Sequence, residues 1–595
     1  MNHFMIMPYS TGSKRNQFQI GTNLINRLGL IFSLQIEAET YRLSSISKSL
    51  RQFLSLLFPR AMAIDIINSE TNNDVKIIGR FRIILPQMIT TAIVTILLLD
   101  IGFSVSFPAV VISGLTGRNV ENNANETLSL TAGQTSWLGS ISYLSKLFGS
   151  ASSGWISDAI GRKNAMILVN IPQICSWYLF YDASTLNQVF IANILLGYGS
   201  GSLKSPALSY IGEISEASVR GVLVATVSLS TMVGLLIGFF LGNLTAWRNV
   251  ALICLIIRII IMIAINIVPE SPMWLLMKNR ETDALKSLTW LRGWAPDSQV
   301  QIEFEAMKRH KSFANSCSAC EKAKIECTHP TPSMCEKLRY LIRQRTLKPF
   351  FILMVCSVTG FSSGTHHLIP YIVQILNAYQ SPISSNWATV VLGITGVCGT
   401  IICIPLLKFV GKRRIFLVSL TAAFCVNTLL GIYGFLYLPP NIKSFQHTEM
   451  LLEKHTTNLI PLILLILLQL STVGTVLVPF MLLGELFPAK VRGLVTGITT
   501  AFLNIFTFVA TKSFFDLENW LNLPSAMLIY ALCGIIGFNV AYKILPETER
   551  CTLAEIEMHF LDNHKSITNR NITRNCSNVR VEQNVTEEHQ SVQIN

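Results

Sequence analysis

Charge is scarce in this 595-residue sequence. Only 14% of it is Asp, Glu, Lys or Arg, against 50% hydrophobic residues, and the mean hydropathy is +0.46. That balance excludes a soluble globular protein of this length. Acidic residues are the rarer sign, 34 against 47 basic ones, for a net charge of +13. In so apolar a chain the excess points to basic loops facing an anionic membrane leaflet, not to nucleic acid. Cysteine is too scattered for a disulfide framework: Cys254, Cys398, Cys425 and Cys533 stand singly in apolar runs, as small buried hydrophobes do. Nucleophile–base pairs, phosphate loops and zinc-helix motifs are missing, so no enzyme activity, cofactor or metal is expected. No secretory signal peptide is read, because the apolar pieces at 28–34 and 53–58 are too short and lie too far in.

What is present is a series of twelve apolar segments, each near the roughly 20 residues that a membrane helix needs. They fall at 83–107, 136–156, 164–182, 187–210, 221–244, 248–268, 349–376, 385–407, 414–436, 459–484, 493–515 and 523–545. The expected organisation is a cytoplasmic leader (1–80), a six-helix bundle (81–268), a cytoplasmic central loop with short helices (269–348), a second six-helix bundle (349–546) and a cytoplasmic tail (547–595). The central loop carries 14 Lys/Arg and 9 Asp/Glu. That loop, Arg162-Lys163, Lys412-Arg413-Arg414 and Lys490/Arg492 place both termini in the cytoplasm. The sequon at Asn125 then falls outside and is expected to be glycosylated, whereas Asn571, Asn575 and Asn584 fall inside. Cys317-x2-Cys320, Cys327, His329 and Cys335 cluster in the same loop, but the second pair lacks close-knuckle spacing, so they read as free thiols rather than a zinc site.

Three motifs recur in the same order in both halves. Gly154-x3-Asp158-x2-Gly161-Arg162-Lys163 has its counterpart in Gly411-Lys412-Arg413-Arg414. Glu213-x6-Arg220-Gly221 is repeated as Glu485-x6-Arg492-Gly493, and Pro269-Glu270-Ser271 as Pro546-Glu547-Thr548. A lone Gly-Arg-Lys is most often an ordinary basic loop; three motifs in matching order mark two related halves. The expected gating set is Asp158, Arg162, Glu213, Arg220 and Glu270 in the first half, with Arg413, Glu485, Arg492 and Glu547 in the second.

On these motifs, together with Leu291-Arg292-Gly293 and Val478-Pro479-Phe480, the chain resembles the sugar porter family of the major facilitator superfamily. Within it the chain is similar to insect facilitated trehalose transporters. The resemblance covers about 80–560. It implies an all-α membrane protein of twelve helices in two six-helix bundles with a small intracellular helical domain. It also implies alternating access at the plasma membrane, a small-molecule sugar as substrate, and no obligate protein partner. The site residues it implies are Ser228, Ser357, Gly360, Phe361, His366, Tyr371, Gly396 and Phe480. Several of these replace amide or indole side chains that the family pattern expects. The family's helix-4 Arg is Asn193, and the Asp of its proton-coupled members is Ser104. Facilitated diffusion of trehalose or a hexose is therefore the expectation. The alternatives are a proton-coupled symporter and a non-transporting sensor of the same fold.

Ionisable residues inside spans default to function. Asp100 is read as a candidate cavity group with Lys146 as a possible partner. Arg258 reads as a structural contact, His366 as a ligand-lining candidate, and Lys204 and Lys512 as snorkelling.

Overall fold

Apolar segments of this length form helices because a backbone in hydrocarbon must satisfy its own hydrogen bonds. The computed structural model describes residues 80–116, 126–215, 220–315, 344–363, 367–439, 442–445, 458–487, 492–549 and three positions between 556 and 560. The first half comprises α1 (Arg80–Leu115), α2 (Ala132–Ile160), α3 (Arg162–Tyr181), α4 (Leu186–Ile214), α5 (Arg220–Leu244) and α6 (Trp247–Ile267). Three short helices follow: α7 (Pro272–Met277), α8 (Glu281–Leu291) and α9 (Asp297–Asn315). The second half comprises α10 (Gln344–Ser362), a 3₁₀ turn (Ile369–Tyr371) leading into α11 (Ile372–Ala378), α12 (Ser385–Val410), α13 (Lys412–Tyr437), α14 (Ile460–Glu485), α15 (Arg492–Leu521) and α16 (Leu523–Ile544).

Among the described residues, eight helices are long and apolar enough to cross a membrane. Those that fall short have a reason. Helix α2 buries Ser136, Ser140, Ser142, Ser145, Ser150, Ser153 and Ser157 within the protein. Several return their hydroxyls to the helix itself, as Ser140 Oγ does to the Ser136 carbonyl (2.8 Å) and Ser150 Oγ to that of Lys146 (2.8 Å). Helix α4 carries Gly197, Gly199 and Gly201, which add little hydropathy, and buries Asn193. The seventh span is not the continuous 349–376 helix expected from hydropathy. It breaks after Ser362, in a stretch containing Ser363, Gly364 and Pro370 that favours turns over helix.

Within each half the helices approach closely. A Cβ on Gly102 of α1 would stand 2.2 Å from the Thr231 carbonyl oxygen of α5, the kind of contact that small residues allow between membrane helices. Between the halves, α2 packs on α15 and α5 on α12. Short helices in the central loop were expected, and α7–α9 occupy it around Trp274, Leu276, Ala284, Leu288, Val300 and Phe304.

Candidate functional site

The recurring motifs gather at one end of each half with matching contacts. In the first half the chain leaves α2 through Gly161 at φ +103°, where a Cβ would also stand 2.3 Å from Glu270 Oε2. In the second it leaves α12 through Gly411 at φ +96°, with Glu547 Oε2 at 2.5 Å from the corresponding Cβ. Only glycine satisfies both conditions without strain. The carboxylate in each case caps the following helix. Glu270 accepts from the amides of Arg162 (3.0 Å) and Lys163 (3.1 Å). Glu547 accepts from those of Lys412 (3.1 Å) and Arg413 (3.2 Å). Two oxygens thus satisfy unpaired N–H groups at the positive end of the helix dipole.

The side chain after each glycine reaches the conserved-spacing Glu. Arg162 meets Glu213 through Nη2 (3.0 Å) and Nε (3.1 Å) and holds Asp158 through Nη1 (3.0 Å). In the second half the cation is Lys412, whose Nζ stands 2.6 Å from Glu485 and 3.0 Å from Glu549. Arg413, the residue assigned from the sequence, donates instead to the Tyr542 carbonyl oxygen (2.9 Å). It matches Lys163, whose Nζ donates to the Asn266 carbonyl oxygen (2.8 Å). Ser271 and Thr548 complete the sets by donating to Glu213 and Glu485. Glu549 supplies from another segment the acid that Asp158 provides in the first half. Lys412, Ser271, Thr548 and Glu549 were legible only as the residues adjacent to the glycine and Glu landmarks. The ion pairs of Arg162 and of Lys412 each stay within one half. The side chains of Arg220 and Arg492 lie outside the described residues, as do Asn125, His366 and the 317–335 cysteine cluster.

At the other end the halves meet tightly. Tyr371 is fully buried, donates to the Ser136 carbonyl oxygen (3.0 Å) and stacks on Phe514 at 5.6 Å between centroids. Lys512 Nζ donates to Ser136 Oγ (2.9 Å) and lies over the Trp137 ring, 4.8 Å from its centroid. In the loop leading to α2, Glu126 binds Arg248 through both oxygens (3.0 Å each) and Trp247 Nε1 (2.9 Å). Burial raises the proton affinity of Glu126, but these donors and the Arg248 charge outweigh it and hold the carboxyl below its ordinary pKa.

The expected substrate residues divide between two places. Phe361 packs with Val476, Leu503 and Phe480. One turn back along α10, Ser357 is fully buried, and its hydroxyl has no partner among the described residues. A Cβ on Gly360 would stand 2.8 Å from the Thr475 carbonyl oxygen. Gly396 faces Gln469 and Met232. Gln469 in turn closes a small cavity lined otherwise by apolar side chains of both halves, among them Leu235, Phe239, Leu368 and Leu468. Ser228 is half-buried in α5.

The buried charges depart most from expectation. Asp100 pairs with Arg258, not Lys146, through Nη2 (2.5 Å) and Nε (3.1 Å). It also accepts from Trp177 Nε1 (3.1 Å) and from Gln173. Arg258 binds Asn170 Oδ1 (3.3 Å) as well. This network ties α1 to α3 and α6. Lys204 does not snorkel to the helix end; its Nζ lies 3.1 Å from the centroid of the Phe480 ring.

Paired sets of charges at one end of two related six-helix bundles define a multi-pass membrane protein of the twelve-helix major facilitator fold. Solved structures carry the same fold. The xylose transporter XylE from E. coli, in a partially occluded inward open form, matches with a TM-score of 0.59 at 16% identity, over 78% of this chain and 99% of that one. A second structure of XylE, titled a proton:xylose symporter and bound to 6-bromo-6-deoxy-D-glucose, gives 0.58 at 17% identity over 80% and 99%. The family model described as Sugar (and other) transporter matches residues 88–560, and the chain belongs to that family. Facilitated trehalose transporter Tret1 of Apis mellifera ligustica is 28% identical over 479 residues, 80% of this chain and 88% of its own length. Tret1 of Drosophila grimshawi is 28% identical over 474 residues, 79% of this chain but 47% of its own length.

Proposed function

We propose that the chain is a plasma-membrane carrier, not an enzyme, that moves a sugar down its gradient by alternating access. The observation that carries this reading is the doubled set around Gly161/Glu270/Glu213 and Gly411/Glu547/Glu485. Two matched charge clusters at the same end of two bundles are what a rocking carrier needs at its gate. Charge contacts that form and break between the halves bias a two-state equilibrium without locking it. In this reading the motif end is cytoplasmic, both termini lie inside and Asn125 lies outside. Arg220 and Arg492 join the clusters across the halves when that end closes. The tight seam around Tyr371 corresponds to an outward gate in its shut position.

Trehalose, the solute in the relatives' names, and a hexose are the first candidates. Asp100 is already neutralised by Arg258, which supports facilitated diffusion over proton coupling. Radiolabelled uptake against a panel of sugars in oocytes expressing the full chain tests the reading. Saturable uptake of at least one sugar is expected; a surface-expressed protein that carries none refutes it.

A further inference from the structure

Two lysines lie near the middle of the first half with no acidic partner among the described residues. Lys146 is the midpoint of α2, fourteen residues from Ala132 and from Ile160, hence about 21 Å from either end. Its ammonium is buried and stands 4.8 Å from the centroid of the Tyr143 ring. Lys204 lies on α4, ten residues before Ile214, about 15 Å from that helix end. Its ammonium rests on the face of Phe480, a residue of the opposite half. Among the described residues neither lysine forms an ion pair with a carboxylate. Asp100, the buried acid nearby in sequence order, is held by Arg258.

This stretch lies at the seam between the halves. A Cβ on Gly201 of α4 would stand 2.5 Å from the Lys146 carbonyl oxygen, so α2 at Lys146 packs closely on α4 three residues before Lys204. One turn along α2, Ser150 Oγ accepts from Asn504 Nδ2 of α15 (3.0 Å). Phe480, the ring beneath Lys204, is one of the residues expected to line the substrate site and packs with Phe361 of α10. An aromatic face attracts an ammonium but leaves its charge uncompensated, and buried charges in a membrane are otherwise paired or functional. A solute bearing an acidic oxygen supplies the missing partner, with charge-assisted hydrogen bonds that a neutral hydroxyl does not match.

Resting on the reading that this chain is an alternating-access sugar carrier, we propose that its central site takes a sugar bearing an acid group, with Lys146 and Lys204 as the anion-binding residues. The acid is a carboxylate or a phosphate, since both present the oxygens an ammonium binds.

The test is uptake by the full chain in oocytes, normalised to surface protein, of labelled glucuronate, glucose 6-phosphate, glucose and trehalose. At least one acid enters faster than either neutral sugar by about tenfold or more, and which one names the head group. Lys146→Met and Lys204→Met each lower the ratio of acid to neutral-sugar uptake at least about tenfold, as expected on removing one partner of a buried charge contact. Lys204→Arg keeps part of it. Where a methionine variant fails to reach the surface, the comparison of acids with neutral sugars on the unaltered chain decides alone. Saturable glucose or trehalose uptake that neither acid shares or competes with overturns the inference and leaves the carrier reading intact. Uptake of none of the four by surface-expressed protein overturns both.

Discussion

Asp100→Asn removes the charge that compensates a guanidinium eleven residues from Trp247 and nine from Ile267 along α6, about 14 Å from the nearer helix end. Arg258 is 3% exposed and Asp100 1%, so water cannot replace the lost carboxylate. Breaking a buried pair by removing one partner costs about 3–5 kcal/mol. Removing both charges, in Asp100→Asn with Arg258→Met, leaves Asn to accept from Trp177 and costs chiefly the Arg258–Asn170 hydrogen bond, about 1 kcal/mol. The double variant is therefore more stable than Asp100→Asn by about 2–4 kcal/mol. An unfolding entropy of about 2 cal/mol/K per residue over the helical region gives about 1 kcal/mol per kelvin. Asp100→Asn should then lower the unfolding midpoint of the detergent-solubilised protein by about 3–5 °C, and the second change should restore most of it. Unchanged stability in the single variant, or losses that simply add in the double, would refute the assignment of this network as a structural tie. Acid-driven uphill accumulation abolished by Asp100→Asn would instead make Asp100 a coupling group.

Other predictions follow from the two ends of the molecule. Arg220→Ala and Arg492→Ala should each slow sugar exchange while leaving surface expression intact; unchanged exchange in both contradicts the gate. Lys412→Met should impair exchange more than Arg413→Met, because Lys412 faces Glu485 and Glu549 whereas Arg413 reaches a carbonyl oxygen; the reverse order contradicts the pairing. Glu126 has its folded pKa lowered. Its clamp on Arg248 and Trp247 contributes stability above the unfolded carboxylate value of about 4.3, and that contribution is lost as pH falls through the lower folded value. Thermal stability of Glu126→Gln should thus lie below that of the unaltered chain at neutral pH, with the gap closing in acid; a gap independent of pH counts against it. Asn125→Gln should remove the mobility shift on glycosidase treatment; a second sequon, Asn243-Leu244-Thr245, lies at the end of α5 on the same side, and a shift that survives both this change and Asn243→Gln reverses the topology.

Much of the fold was legible because membrane spans declare themselves by length and hydropathy. In the central loop, where short helices were expected, α8 carries Ala284, Leu288 and Leu291 at helical spacing on its buried face. The motif repeat points to the segments that meet around Gly161 and Gly411, without deciding which side chains pair there. It failed at Lys412 and Arg413, because neighbouring bases on a helix point about 100° apart and only the path through Gly411 decides which one faces Glu485. The Asp100–Arg258 pair was hidden for a different reason. The two residues are 158 positions apart on helices whose adjacency hydropathy does not encode. Lys204 was misread as snorkelling, because its place near the end of a predicted span says nothing of Phe480 in the opposite half. The break in the seventh span was missed because its apolar residues continue through the turn.

Counterflow tests the central claim of alternating access most directly. Purified protein in proteoliposomes is preloaded with a high concentration of an unlabelled transported sugar, and entry of trace labelled sugar is followed. A carrier with matched gates on two rocking halves predicts a transient overshoot of label above its equilibrium level, decaying as the unlabelled sugar leaves. Label that rises to equilibrium without overshoot, or does not enter, would contradict the account.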